Sequence, residues 1–354
     1  MNFLFFMLVA SAGFAAVPND PLFSYDPARR LPYADASGVY FRDEYQWPHQ
    51  NIAANTRCWL FNGTLMAEYD EPVGTSSIEA LAGWDVATDA RRCRVAVLDV
   101  GVDATHPDLS NNVTRVILTT ASHVPSNHGT AVASVLAAEG NNGIGMAGIC
   151  WRADVVAIEY DYRPPTLIAG LDAAIAAGCR IICVAWGSEL NDASVLAAFL
   201  RVRDAGLLVV CSTLNDPSDM DAHAPDYPSS WGLENVVTVT SSTRDGQIYS
   251  WAARGSNSVH LAAPGRLIPV CVPGGNYRYW SGTSYAAPLV AGAAALYWSQ
   301  HPEVAATQVK RALLATVTKS PAFNATISGG MLNLGALLQS PKPPTVRTTN
   351  ITKL

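Results

Sequence analysis

Gly282-Thr283-Ser284-Tyr285-Ala286-Ala287-Pro288, continuing as Leu289-Val290-Ala291-Gly292-Ala293-Ala294-Ala295-Leu296, is the stretch around which the chain is organised. A Gly-Thr-Ser turn opens directly into a helix of small apolar residues. A serine at such a start sits at the positive end of the helix dipole, beside backbone N–H groups that have no helical partners. Both features favour a developing oxyanion. Alone, the stretch reads equally well as an ordinary N-cap. Its weight comes from two stretches upstream.

Those stretches lie in a region of regular rhythm that begins at Arg94. Val95-Ala96-Val97-Leu98 is a buried strand ending at Asp99, and residues 129–138 have helical apolar spacing. Strands at 155–158, 181–185 and 207–211 alternate with helices at 167–177 and 195–205, and further strands follow at 236–240 and 259–262. Continuous Val/Ile/Leu strands alternating with helices imply an α/β fold: a doubly wound, mostly parallel sheet with helices on both faces. A functional site in such a sheet is expected beyond the carboxyl ends of its strands. A short helix is expected at 78–85 and a surface helix at 307–316, and no internal repeat is visible.

The 354 residues are 49% hydrophobic and 15% charged, a composition that builds a packed core and excludes disorder. A net charge of -6 without a basic block gives no reason to expect nucleic-acid binding. Residues 1–16, with the apolar run Phe3-Leu4-Phe5-Phe6-Met7-Leu8-Val9, read as a signal peptide, and no apolar run is long enough for a membrane span. Sequons at Asn62, Asn112, Asn324 and Asn350 agree with a secreted or lumenal glycoprotein. Seven cysteines allow three disulfides, and Cys58 and Cys93, which flank one unusual segment, are the expected pair; Cys183 and Cys211 fall inside strands as small buried residues. The expected organisation is one domain over 17–340, with a loop insertion at 55–77 and a polar tail at 341–354.

Asp99 terminates a strand in Val97-Leu98-Asp99-Val100-Gly101-Val102-Asp103, and His128 opens a helix in Asn127-His128-Gly129-Thr130-Ala131-Val132-Ala133. Taken singly, the first also reads as a strand end before a glycine turn and the second as a structural histidine. Together with Ser284 they supply a nucleophile, a general base and a carboxylate that fixes the base's tautomer.

With these three motifs in the order Asp, His, Ser, the chain resembles the subtilisin-like serine proteases, the subtilase family. The matching segments are Val97-Leu98-Asp99-x-Gly101-x-Asp103-x-x-His106-Pro107-Asp108-Leu109, then His128-Gly129-Thr130-x-Val132-Ala133, then Gly282-Thr283-Ser284-x-Ala286-x-Pro288-x-Val290-Ala291-Gly292. The resemblance implies Asp99 as orienting carboxylate, His128 as general acid and base, Ser284 as nucleophile, and Asn215, after the strand at 207–211, as oxyanion donor. It implies that Ala185-Trp186-Gly187 forms one wall of the P1 side-chain pocket. Asp226, before Tyr227-Pro228, then lies at the pocket floor and Asp216 at its rim, although Asp226 also reads as a cap of its own turn. From thermitase-like members it implies a structural Ca²⁺ held by side chains of Asp20, Asp108 and Asn142 and by carbonyls of Glu139, Ile144 and Met146. The expected function is a secreted, monomeric serine endopeptidase acting on protein or peptide substrates. The alternative is a secreted subtilase-like protein that binds without cleaving.

Several residues depart from the family's pattern. Val100 removes a hydroxyl beside the aspartate, Ala131 and Ser134 replace a His and a Gly, and Leu214 replaces a Gly before Asn215. The segment at 160–166, with two prolines, is shorter than the family's substrate edge strand. Asn19-Asp20-Pro21-Leu22-Phe23 resembles the start of the mature domain in thermitase-like and kexin-like members, which would leave no room for the usual inhibitory prosegment after the signal.

Overall fold

The structure, a computed structural model, describes residues 77–120, 124–222 and 225–342, together with Asp20 and the strand backbones at 40–41, 56–61 and 65–71. The expected signal peptide at 1–16, the sequons Asn62 and Asn350, and most of the tail at 341–354 lie outside the described residues.

In chain order the elements are β1 (Tyr40–Phe41), β2 (Thr56–Phe61), β3 (Leu65–Glu71), α1 (Ala80–Trp84), β4 (Val95–Asp99), β5 (Val113–Leu118), α2 (Asn127–Ala137) and β6 (Val155–Glu159). Then come α3 (Pro164–Ala176), β7 (Ile181–Val184), α4 (Ala193–Asp204), β8 (Leu208–Ser212), β9 (Val236–Ser242) and β10 (Leu261–Pro264). The last are β11 (Ile268–Val272), β12 (Asn276–Trp280), α5 (Thr283–Gln300), α6 (Ala306–Ala315), β13 (Thr318–Lys319), β14 (Gly330–Met331) and α7 (Leu334–Gln339). One reading needs correction: the expected loop at 55–77 contains the antiparallel hairpin β2–β3, with β1 paired on β2.

A nine-stranded sheet ordered β13-β14-β10-β9-β8-β7-β4-β6-β5 forms the body, and only β13 pairs antiparallel. Its central strands are buried along their whole length because both faces are covered. Alternate residues feed two cores. Val95 and Val97 of β4, Ile181 and Cys183 of β7, and Leu208 and Val210 of β8 join the core that includes α2 and α5. Ala96 and Leu98, Ile182 and Val184, and Val209 and Cys211 join the core under α3 and α4. This two-sided burial is why the strands read as unbroken apolar runs, and the doubly wound architecture expected from them is the one observed.

α5 is buried from Thr283 to Ser299. Its small residues permit that depth: a Cβ on Gly292 would stand 1.7 Å from the Ile149 side chain. Enlarging its alanines would cost about 1–3 kcal/mol through overpacking. Among the described residues no helix is long and apolar enough to cross a membrane.

The expected Cys58–Cys93 pairing is not formed: Cys93 is a free, buried thiol. All six described cysteines are free and buried, so they behave as small core residues whose thiols desolvation holds protonated; burial pushes Cys93 up to about 12. The sequon residue Asn112 is also buried. Its Nδ2 donates to the carbonyls of Ala137 and Trp151 at 3.0 Å each, and its Oδ1 accepts from Ala153 N at 2.9 Å.

Candidate active site

β4 delivers Asp99 at its carboxyl end, with 2% of the residue exposed. α2 starts directly against that strand exit. Ser126 caps it, accepting from Gly129 N at 3.0 Å while its hydroxyl donates to Gly101 O at 3.0 Å. Gly129 is required by the close approach, since a Cβ there would lie 2.1 Å from Gly101 O. The result is that His128 Nδ1 donates to Asp99 Oδ2 at 2.9 Å, with Oδ1 at 3.1 Å. Val100 N donates to Asp99 Oδ1 at 2.8 Å, so the carboxylate keeps a local donor although residue 100 has no hydroxyl. Burial disfavours the imidazolium, but the hydrogen bond and charge of Asp99 outweigh it and raise the His128 pKa above the ordinary histidine value.

Ser284 is the second residue of α5 and 7% exposed. Its hydroxyl donates to Ala185 O at 2.8 Å. Among the described residues there is no hydrogen bond between Ser284 and His128, so the two share one face of the sheet without being joined. A nucleophile and base that are not hydrogen-bonded are common in enzymes without substrate.

Asn215 is exposed just past β8. Its Oδ1 accepts from Thr283 N at 2.9 Å, which fixes the amide's orientation because a backbone N–H only donates. The NH₂ group is thereby left as the outward donor beside Ser284. Leu214, which departs from the family's glycine, packs its side chain on Met220, Ala253 and Val259.

On the other side of Ser284 runs the segment Ala185-Trp186-Gly187. Trp186 does not present its indole to the cleft: Nε1 donates to Leu98 O at 2.9 Å and the ring packs 5.1 Å from Tyr160. Gly187 lies on the Asp226 carboxylate, so that a Cβ on Gly187 would meet Asp226 Oδ1 at 1.9 Å. Asp226 is 0% exposed, and neither carboxylate oxygen has a hydrogen-bond partner. Its side chain therefore does not cap its own turn; there the backbone N–H donates to Ser230 Oγ at 2.9 Å. Desolvation pushes the Asp226 pKa up to about 7, with the charges of Asp216 and Glu189 adding to it and the nearby Ser188 backbone N–H, which is itself bonded to Tyr227 O, opposing it. Asp216 accepts from Ser218 N at 2.9 Å, a local turn bond.

The proposed cation ligands also gather. Asp20 and Asp108 are both fully buried, and burial raises both carboxyl pKa values, that of Asp108 to about 6 with Asp20's charge contributing. Asn141 N and Asn142 N donate to Asp20 at 2.6 and 3.1 Å, and Met146 N donates to Asp108 Oδ2 at 2.9 Å. Two neighbouring buried carboxylates fit a hard divalent cation. Asn142 departs in one respect: its Nδ2 donates to Asp108 Oδ1 at 2.8 Å, so its amide would have to turn over to ligate. Among the described residues no group of three or more His, Cys, Asp or Glu side chains is gathered for a metal.

Sequence reasoning missed Tyr285 and Trp280. The Tyr285 ring stands 6.2 Å from the His128 ring and 6.0 Å from that of Trp280, forming an aromatic run beside the imidazole. Only the position of Tyr285 next to Ser284 hints at it.

Asp99, His128, Ser284 and Asn215 thus lie at or just past the carboxyl ends of β4 and β8 and at the starts of α2 and α5. The sequence signature of the subtilase family matches residues 91–331. Subtilisin E of Bacillus subtilis is 31% identical over 261 residues, an alignment covering 70% of this chain and 66% of the relative. Thermitase of Thermoactinomyces vulgaris is 30% identical over 236 residues, covering 64% of this chain and 82% of the relative. Among solved structures, a prenylagaramide maturation protease superposes with a TM-score of 0.63 at 25% identity, covering 73% of this chain and 97% of that one.

Proposed function

The chain belongs to the subtilase family, and from that premise we propose that it is a secreted serine endopeptidase hydrolysing peptide bonds through an acyl-enzyme on Ser284. The observation that carries the reading is the His128–Asp99 pair held beside a helix-start serine and an outward Asn215 amide. In the reaction, Ser284 turns from Ala185 O to His128 Nε2 and gives up its proton as Oγ bonds to the substrate carbonyl carbon. The oxyanion accepts from Asn215 Nδ2–H and from the Ser284 backbone N–H. Collapse breaks the C–N bond, and the His128 imidazolium returns its proton to the leaving amine. A water deprotonated by His128 then cleaves the ester and restores Ser284. Asp99 holds the imidazole tautomer throughout.

The P1 pocket of this reading has Ala185–Gly187 as its wall, Asp216 at the rim and Asp226 on the floor. An unpaired buried carboxylate is costly, and a substrate Lys or Arg would pair it. That favours basic P1 residues over apolar ones by about ten- to hundredfold. The kcat/KM ratio of matched P1 Arg and P1 Leu peptides tests this; an unchanged ratio in Asp226→Asn would remove Asp226 from recognition. A structural Ca²⁺ would be held by Asp20, Asp108, Asn142 and the carbonyls of Glu139, Ile144 and Met146, where it would supply charge neutralisation and stability. The expected protein is a monomer. A fluorophosphonate probe tests the whole: labelling that disappears in Ser284→Ala supports the enzyme, whereas folded protein that is not labelled returns the binding-only alternative.

A further inference from the structure

A second polar cavity lies at the opposite end of the sheet. It has a volume of about 470 Å³, and Arg91, Arg94, Arg115, Asn111, Thr114 and Asp154 are on its walls. Arg94 precedes β4, Asp154 precedes β6 and Arg115 belongs to β5, three strands that neighbour one another, so the cavity opens at their amino ends. Asp99 ends the same five-residue β4 that Arg94 precedes, which separates the cavity from the cleft by about 16 Å.

The guanidinium groups are oriented but not exhausted. Arg94 uses Nε on Asp154 Oδ2 at 2.8 Å and Nη1 on Ala177 O at 2.6 Å, leaving Nη2. Arg91 uses Nε and Nη2 on Asp89, at 3.0 and 2.5 Å, leaving Nη1. The Arg115 side chain makes no hydrogen bond or ion pair among the described residues, which leaves its guanidinium donors available. The one wall carboxylate is already occupied on both oxygens, since Thr114 Oγ1 donates to Asp154 Oδ1 at 2.5 Å. Asp154 therefore orients Arg94 more than it repels an anion. Asp89 and Asp154 neutralise two of the three guanidinium groups, so the concavity keeps one uncompensated positive charge, that of Arg115, on a chain of net charge -6.

We propose that this cavity is an anion site, separate from the catalytic cleft, that takes a small molecule bearing a phosphate or sulfate ester. Donors on three separate arginines suit a tetrahedral ester group with three terminal acceptor oxygens better than a planar carboxylate, which one guanidinium fork satisfies. The volume falls in the range of small-molecule sites and exceeds what a bare inorganic anion fills, so the ester is part of a larger ligand.

Calorimetric titration at low ionic strength tests this with three probes: adenosine monophosphate, a trisulfated heparin disaccharide and succinate. The expected result is one-site binding of at least one ester, with the two esters telling phosphate from sulfate, and succinate at least about tenfold weaker. Arg115→Ala should weaken the ester by about ten- to hundredfold, and Arg115→Lys, which keeps the charge and loses the fork, should recover part of that. Fluorophosphonate labelling of Ser284 should be the same in all three proteins. The proposal is overturned if neither ester binds, if Arg115→Ala binds like the parent protein, or if succinate binds as tightly as the esters.

Discussion

Removing the charge of Asp226 should stabilise the protein at alkaline pH and not at acidic pH. The carboxyl has no hydrogen-bond partner on either oxygen and no solvent exposure, and its pKa is pushed from 3.8 up to about 7. A rise of about three units, at about 1.4 kcal/mol per unit, corresponds to roughly 4 kcal/mol between the ionised and neutral folded forms. The sign follows from linkage: a carboxyl raised on folding holds a proton that the unfolded chain has released. Its burial is tolerated below the unfolded pKa near 4, and stability is lost progressively as pH rises from there towards 7. Asp226→Asn abolishes this dependence but leaves a neutral amide in the same unpartnered site, at a cost of about 1–3 kcal/mol. The variant should therefore equal or fall below the parent at pH 5 and exceed it by about 1–3 kcal/mol at pH 8. Urea unfolding of both proteins in the Ser284→Ala background, which prevents self-digestion, measures the difference at each pH. Parallel stability curves for the two proteins from pH 5 to 8 would refute the reasoning, because they would mean that Asp226 ionises without penalty.

Asn215→Ala should lower kcat by about 100- to 1,000-fold with little change in KM, because its amide acts on charge present only in the transition state; an unchanged kcat in steady-state peptide assays would exclude the donor role. Chelation should lower the melting temperature if a cation relieves the neighbouring Asp20 and Asp108 carboxylates, and an unaltered Tm with excess chelator would show that the loop closes through its backbone bonds alone. In a secreting host that glycosylates, peptide mapping should find a glycan on the exposed Asn324 and none on Asn112, whose amide is spent on core carbonyls; a glycosylated Asn112 would mean that modification precedes folding of that turn.

The sequence determined the parallel sheet because its central strands are covered on both faces and so consist of unbroken apolar runs. It also placed Asp99 at a strand end and His128 and Ser284 at helix starts, as the structure has them, because such ends are marked by local residue patterns; Asn215, three residues past β8, followed only from the resemblance. β5 escaped because it is an edge strand whose middle is exposed, at Thr114, Arg115 and Val116, and so carries no apolar run. β11 escaped because Pro269 interrupts it. The free state of Cys93 belongs to the tertiary structure, since position along the chain does not say whether a cysteine packs into the core. So does the burial of Asp226: before Tyr227-Pro228 it reads as a turn cap, and only the approach of Gly187, 39 positions earlier in the chain, closes over the carboxylate, while the adjacent Ser188 N–H is given to Tyr227 O. The arginine cavity depends in the same way on three neighbouring strands whose charged residues are scattered in sequence. Local patterns specify backbone conformation and its endpoints, whereas burial, pairing and pKa depend on what folding brings alongside from distant parts of the chain.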